Sequence, residues 1–230
     1  MKIHGLQKLT LLDFPGRVAC TVFLGGCDMR CPFCHNYDLA TGAAPAVMEE
    51  DALFAFLEKR RGLLEGVAVT GGEPCLRPDL PKLLRGIKSM GYAVKLDTNG
   101  THPDRLEAIL DEGLADYVAM DIKNSPERYA MTAGLDELDL GPIRRSVDIL
   151  RSGRTDYEFR TTVVEPLHRA ENIEAIGAWL NGARRYALQM FTDRDSVPFG
   201  NLRAPAREDM QTYREIAQRY IGEVLIRGMD

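Results

Sequence analysis

The sequence predicts an α/β fold, a mainly parallel sheet curled into an incomplete, laterally open (βα)6 TIM-like barrel. Three observations carry that expectation. Short apolar runs alternate six times with stretches of helical period, and such alternation builds a parallel sheet covered by helices through right-handed crossovers. A closed eight-unit barrel usually takes about 250 residues, so six units in 230 residues leave the barrel open. The conspicuous polar residues gather where the apolar runs end, at the edge where parallel α/β folds bind ligands.

The elements follow in order. VACTVFL (18–24) reads as the first strand and EEDALFAFLEKR (49–60) as its helix; GVAVT (66–70) pairs with LPKLLRGIKSM (80–90), and YAVKLD (92–97) with DRLEAILDE. DYVAMDI (116–122) precedes a helix ending near IRRSVDILRS, DYEFRTTVV (156–164) precedes NIEAIGAWLN, and RRYALQMF (184–191) precedes AREDMQTYREIAQRY. EVLIRG near the end adds a candidate strand, and residues 124–142 show no clear period. No linker, low-complexity tract or repeat divides the chain. The expectation is one domain over 1–230, its core at about 16–195 and a C-terminal helix and strand at 205–228.

Composition narrows the function classes. A net charge of -5 with 45% hydrophobic residues describes a globular chain with no basic surplus, which argues against nucleic acid and anionic membrane as partners. The opening stretch MKIHGLQKLTLLDFPG lacks the apolar run of a signal peptide, and no run is long enough to span a bilayer, so the expected location is cytoplasmic. Five cysteines in a reducing compartment argue against a disulfide framework and for metal or catalytic use.

Three of them, Cys27, Cys31 and Cys34, fall within eight residues of "GGCDMRCPFCHNYDL". Thiolates are soft ligands for zinc, Cu(I) or iron-sulfur clusters, and three in one loop can reach a common centre. A cubane normally takes four cysteines, so one held here keeps an iron open to a ligand from outside the protein. Covalent haem at Cys31-Pro-Phe-Cys34-His35, a Cys₃His zinc site using His35, and three unrelated thiols are the alternatives. Cys20 lies in an apolar run and reads as a small core residue, whereas Cys75 follows a turn and is ambiguous.

The C-x-x-x-C-x-x-C spacing resembles the signature of the radical S-adenosylmethionine (SAM) enzymes. "GGEP" (71–74), "LDTNG" and "MDIK" are similar to stretches of the branch that activates glycyl radical enzymes. "LTLLDFPGRVACTVFLGGCDMRCPFCHN", "MDIKNSPERY", "YEFRTTVV" and "LQMF" resemble activating proteins of anaerobic ribonucleoside-triphosphate reductase, over about residues 5–195.

That resemblance implies a [4Fe-4S] cluster on Cys27, Cys31 and Cys34 whose open iron is chelated by S-adenosylmethionine. One electron, from a donor such as flavodoxin or ferredoxin, cleaves the sulfonium to a 5′-deoxyadenosyl radical that abstracts hydrogen from a glycine of the reductase. An activase of another glycyl radical enzyme, a radical enzyme acting on a small molecule, and a zinc-stabilised binding module are the rivals. Phe33 either shields the cluster or adenine or simply packs the loop. Gly71 and Gly72 remove side chains where backbone must approach a ligand, and the resemblance places the methionine amino group there, with Glu73 bracing the turn. Asp97 can accept from ribose hydroxyls, and Thr98 belongs to the same turn. Asp121 and Lys123 share a strand face, Lys123 for the carboxylate and Asp121 for the ammonium; a monovalent cation between Asp97, Thr98 and Asp121 is a further candidate. Arg160 and Thr162 share a face of the next strand and are candidate contacts to the same cofactor.

Overall fold

A computed structural model describes residues 1–229. In chain order the elements are β1 (Lys2–Ile3), β2 (Gly5–Thr10), β3 (Ala19–Leu24), α1 (Tyr37–Thr41), β4 (Met48–Glu49), α2 (Glu50–Glu58), β5 (Gly66–Gly71), α3 (Leu80–Ser89) and β6 (Ala93–Thr98). There follow α4 (Pro103–Asp111), β7 (Tyr117–Asp121), α5 (Tyr129–Ala133), α6 (Gly141–Arg151), β8 (Asp156–Val163), α7 (Ala170–Trp179), β9 (Arg185–Met190), α8 (Arg207–Ala217) and β10 (Glu223–Arg227).

The main sheet runs β10-β9-β8-β7-β6-β5-β3-β2, parallel throughout except for the β2–β3 pair. All six expected strand–helix units are present. EVLIRG adds a seventh parallel strand, β10, beside β9. The opposite edge carries an antiparallel strand, β2, that the sequence did not announce, because GLQKLT is half exposed and has no clean alternation. Among the described residues β2 and β10 are not paired to each other, so the sheet is open. The stretch 124–142 holds a tight turn at Pro126–Arg128 and the short helix α5.

Strand period divides the sheet into two chemically distinct faces. Cys20, Val22, Leu24, Val67, Val69, Val94, Leu96, Val118, Met120 and Phe159 are buried in the main apolar core. Their neighbours by alternation are small or charged: Ala19, Ala68, Lys95, Asp97, Ala119, Asp121, Glu158 and Arg160. The apolar set is the face that helices cover, and α3 supplies Leu80, Leu83, Leu84 and Ile87 to the same core. Burying one such leucine is worth about 2 kcal/mol, so this face carries most of the fold's stability. Polar groups are thereby kept for the concave side. Among the described residues no helix is long and apolar enough to cross a membrane.

Arg227, the last residue of β10, reaches past β9 to Glu158 on β8, with Nη1–Oε1 and Nη2–Oε2 distances of 2.8 and 2.7 Å. Glu158 is wholly buried; burial opposes its ionisation, but the Arg227 guanidinium outweighs it and holds the carboxyl below its usual range. Removing the arginine strands a buried charge. Arg227→Met is expected to cost about 2 kcal/mol, less than for a fully buried pair because the arginine is partly exposed, and urea unfolding at neutral pH measures it.

Candidate active site

The cysteine loop leaves β3 and is tied down by backbone at both ends. Gly26 N–H donates to Leu39 O (2.8 Å), Cys27 N–H to Ala40 O (3.2 Å) and Arg30 N–H to Ala133 O (2.8 Å). The last of these is why α5 exists where it does: Gly134, at φ +71°, ends the helix, and a Cβ there would lie 2.0 Å from Arg30 O. Arg30 closes the turn by donating from Nη1 to Cys27 O and Met29 O, both at 2.7 Å. All five cysteines are free thiols, and Cys27, Cys31 and Cys34 line one cavity of about 230 Å³. Burial pushes the Cys27 thiol up to about 12 and Cys31 to about 11, and raises Cys34 in the same direction.

Beside the loop, the Gly71–Gly72 turn extends the β3–β5 ladder past its end: Gly72 N–H donates to Leu24 O (2.9 Å) and Glu73 N–H to Gly26 O (2.8 Å). A Cβ on Gly71 would stand 2.2 Å from Leu24 O and one on Gly72 2.0 Å from Gly26 O. These glycines are therefore required by the approach of one strand end to the other, in addition to any ligand. Glu73 is buried and does not line the cavity. Its carboxylate accepts from Cys75 N–H (2.8 Å), Thr98 Oγ1 (2.8 Å) and Asn99 N–H (2.6 Å). Burial raises its pKa to about 7 against those three donors.

A chain of alternating charges crosses β6, β7 and β8. Lys95 pairs with Asp97; Arg160 bridges Asp97 (Nη1–Oδ2 3.3 Å) and Asp121 (Nε–Oδ1 2.9 Å); Lys123 pairs with Asp121 (3.0 Å). Parallel register sets Asp121 beside Arg160, and alternation turns Lys95 and Asp97 to the same side. Burial disfavours both carboxylates, but Arg160 with Lys95 outweighs it at Asp97, and Arg160 with Lys123 takes Asp121 down to about 2. Burial would lower Lys123, and Asp121 outweighs it and raises the ammonium instead.

The cavity gathers Phe33, Gly71, Gly72, Asp97, Thr98, Asp121, Lys123, Arg160 and Thr162 with the three cysteines. Thr98 lines it, yet its hydroxyl is committed to Glu73 and to Gly100 N–H (3.1 Å). Phe33 both lines the cavity and packs edge-on to the His168 ring at 6.4 Å. Cys75 is fully buried beneath the Glu73 turn and does not line the cavity. His35 stacks on Phe191 and donates Nε2–H to Thr192 O (2.7 Å), which removes that nitrogen as a ligand. Asn36 donates to Gly71 O (3.1 Å), joining loop and turn.

Four participants escaped the sequence reading. Lys95 could have been found by the parity argument applied to Asp121 and Lys123. Asn99 donates to Asp28 Oδ1 (2.8 Å) and lies 3.9 Å from Cys27 Sγ, and buried His168 donates Nε2–H to Lys123 O (2.8 Å). Gln189 lines the far wall. The latter three contacts join residues dozens of positions apart and left no local signal.

Among the described residues no three His, Cys, Asp or Glu side chains converge closely enough to hold a single metal ion. Soft thiols spread around one cavity suit a cluster whose separate irons are bound by separate cysteines. Residues 21–180 match the radical SAM superfamily, well over half of the chain. The chain belongs to that superfamily. With it come the cofactors, a [4Fe-4S] cluster and S-adenosylmethionine. The radical SAM chain is similar to a putative glycyl-radical enzyme activating enzyme of Methanocaldococcus jannaschii, 31% identical over 99% of this chain and 96% of that protein. It is 32% identical to the pyruvate formate-lyase-activating enzyme of Clostridium pasteurianum over 54% of this chain, and spans only 52% of that relative. SuiB of Streptococcus suis bound to S-adenosylmethionine superposes with a TM-score of 0.69 over 90% of this chain and 52% of that one, at 13% identity, which is a likeness of fold.

Gly72→Ala tests the loop–turn contact. The added methyl meets a backbone carbonyl that cannot move alone, so a loss of about 3 kcal/mol in urea unfolding is expected, with less iron retained after reconstitution.

Proposed function

We propose that this radical SAM protein is an activase that generates a glycyl radical on anaerobic ribonucleoside-triphosphate reductase. The observation that carries the reading is the match along nearly the whole chain to a putative glycyl-radical enzyme activating enzyme. The reductase as the particular partner is supported by the likeness of MDIKNSPERY and YEFRTTVV to activating proteins of that enzyme. An open sheet edge is favourable too, since a loop of a protein substrate needs a wider approach than a small metabolite.

Bound together, the cluster and S-adenosylmethionine supply one-electron cleavage of a sulfonium and removal of a hydrogen atom. In this proposal Cys27, Cys31 and Cys34 would hold the cluster, three thiolates where a cubane usually has four. Lys123, kept ammonium by Asp121, holds the carboxylate of the methionine moiety, and backbone at Gly71 and Gly72 receives its amino group. Asp97, oriented from both sides by Lys95 and Arg160, accepts from the ribose hydroxyls. Arg160 and Thr162 face the same space from β8. Burial of the thiols and of the charge chain limits water at the reacting centre, which strengthens each of these contacts.

Two measurements test this. Lys123→Met is expected to weaken S-adenosylmethionine binding about ten- to a hundredfold, the worth of one charge-assisted hydrogen bond, read by equilibrium dialysis under anaerobic conditions. The reduced, reconstituted protein is incubated with S-adenosylmethionine and either anaerobic ribonucleoside-triphosphate reductase or pyruvate formate-lyase. A glycyl radical signal by electron paramagnetic resonance on the reductase is expected, and its loss in Cys27→Ala. A signal on pyruvate formate-lyase alone would reassign the partner, and none on either would refute the activase reading.

A further inference from the structure

The buried lysine at position 95 does not line the cavity and meets the site only through Asp97, the carboxylate it orients in the reading above, on which this inference rests. Only 2% of its side chain is exposed, it points to the concave side of the sheet by its parity with Asp97, and its ammonium is paired with that carboxylate. An ammonium that deep persists only with an anion beside it, so Lys95 and Asp97 fix one another. Asp97 and Asp121 are then each held by two side-chain cations: Lys95 and Arg160 on the first, Arg160 and Lys123 on the second. Three positive charges meet two negative ones. A monovalent cation placed between Asp97, Thr98 and Asp121 would enter a pocket whose carboxylates are already neutralised and would face Lys95 and Arg160 at close range. The Thr98 hydroxyl is already engaged twice, donating to Glu73 and accepting from Gly100 N–H. These residues do not fit the solution cation that the sequence suggested.

We propose that Lys95 is a positioning residue that serves as a built-in counter-cation for Asp97, so that this site takes no Na⁺ or K⁺ from solution. The charge that would otherwise be recruited as an ion is carried on β6 itself. Asp97 is thereby held in one orientation whether or not a ligand is present.

The test compares thermal unfolding of the full chain, purified anaerobically, in NaCl, KCl and tetramethylammonium chloride at equal ionic strength. Wild type is expected to melt within about 1 °C in all three salts, and Lys95→Met to melt lower in tetramethylammonium chloride and to recover by about 3 °C, saturably, in Na⁺ or K⁺. Selective stabilisation of wild type by either small cation would overturn the proposal, as would a folded Lys95→Met indifferent to all three salts. Should Lys95→Met fold in no salt, wild type and Lys95→Arg decide: indifference of both supports the proposal, and a selective response of either refutes it. Affinity for S-adenosylmethionine, measured in the same salts, belongs to the proposed function. Failure to bind in every salt counts against that function, and the melts still judge Lys95.

Discussion

The approach of the β5 end to the β3 end, with Gly71 and Gly72 pressed against Leu24 and Gly26, is the contact on which the rest of the site depends. Glycine is needed twice because carbonyl oxygens occupy the space where side chains would begin. From that contact a closed circuit of bonds runs through the site. Gly26 O receives Glu73 N–H, Glu73 gathers Thr98 and Asn99 from β6, and Asn99 returns to Asp28, next to Cys27. Three segments distant in sequence are thus indexed to one another before any cofactor is considered.

A second organisation, in charge, sits on the concave face. Alternation along each strand sends the large apolar side chains to the helices and the ionisable ones inward, so the same periodicity that builds the core also isolates the charges from it. Isolated charges in such a place would be costly. The chain resolves this by alternating sign from β6 through β8 and by pairing Glu158 with Arg227 lower down. Glu73 is the exception, a buried carboxylate with no cation in contact, satisfied instead by three N–H and O–H donors.

Much of this was legible in the sequence wherever function and periodicity share a strand. VAVT followed by GG, KLDT, AMD and FRTT each announce a buried strand and a polar end, and the parallel topology then forces those ends together. What stayed hidden was set by pairing partners. β2 is a strand because β3 offers it an edge, not because GLQKLT alternates, and α5 spans only five residues, too short to form without the cysteine loop it supports. The two glycines were legible as a close approach, but the sequence alone does not tell whether a ligand or a neighbouring strand is what comes close.

The cysteine loop keeps its path through contacts that owe nothing to iron: α1 at one end, α5 at the other, and the Arg30 side chain clamped over its own turn. Its path is therefore fixed in part by neighbours that carry no thiol. Because those anchors lie on α1 and α5, a substitution in either helix that shifts Leu39, Ala40 or Ala133 would displace the thiols without touching a cysteine.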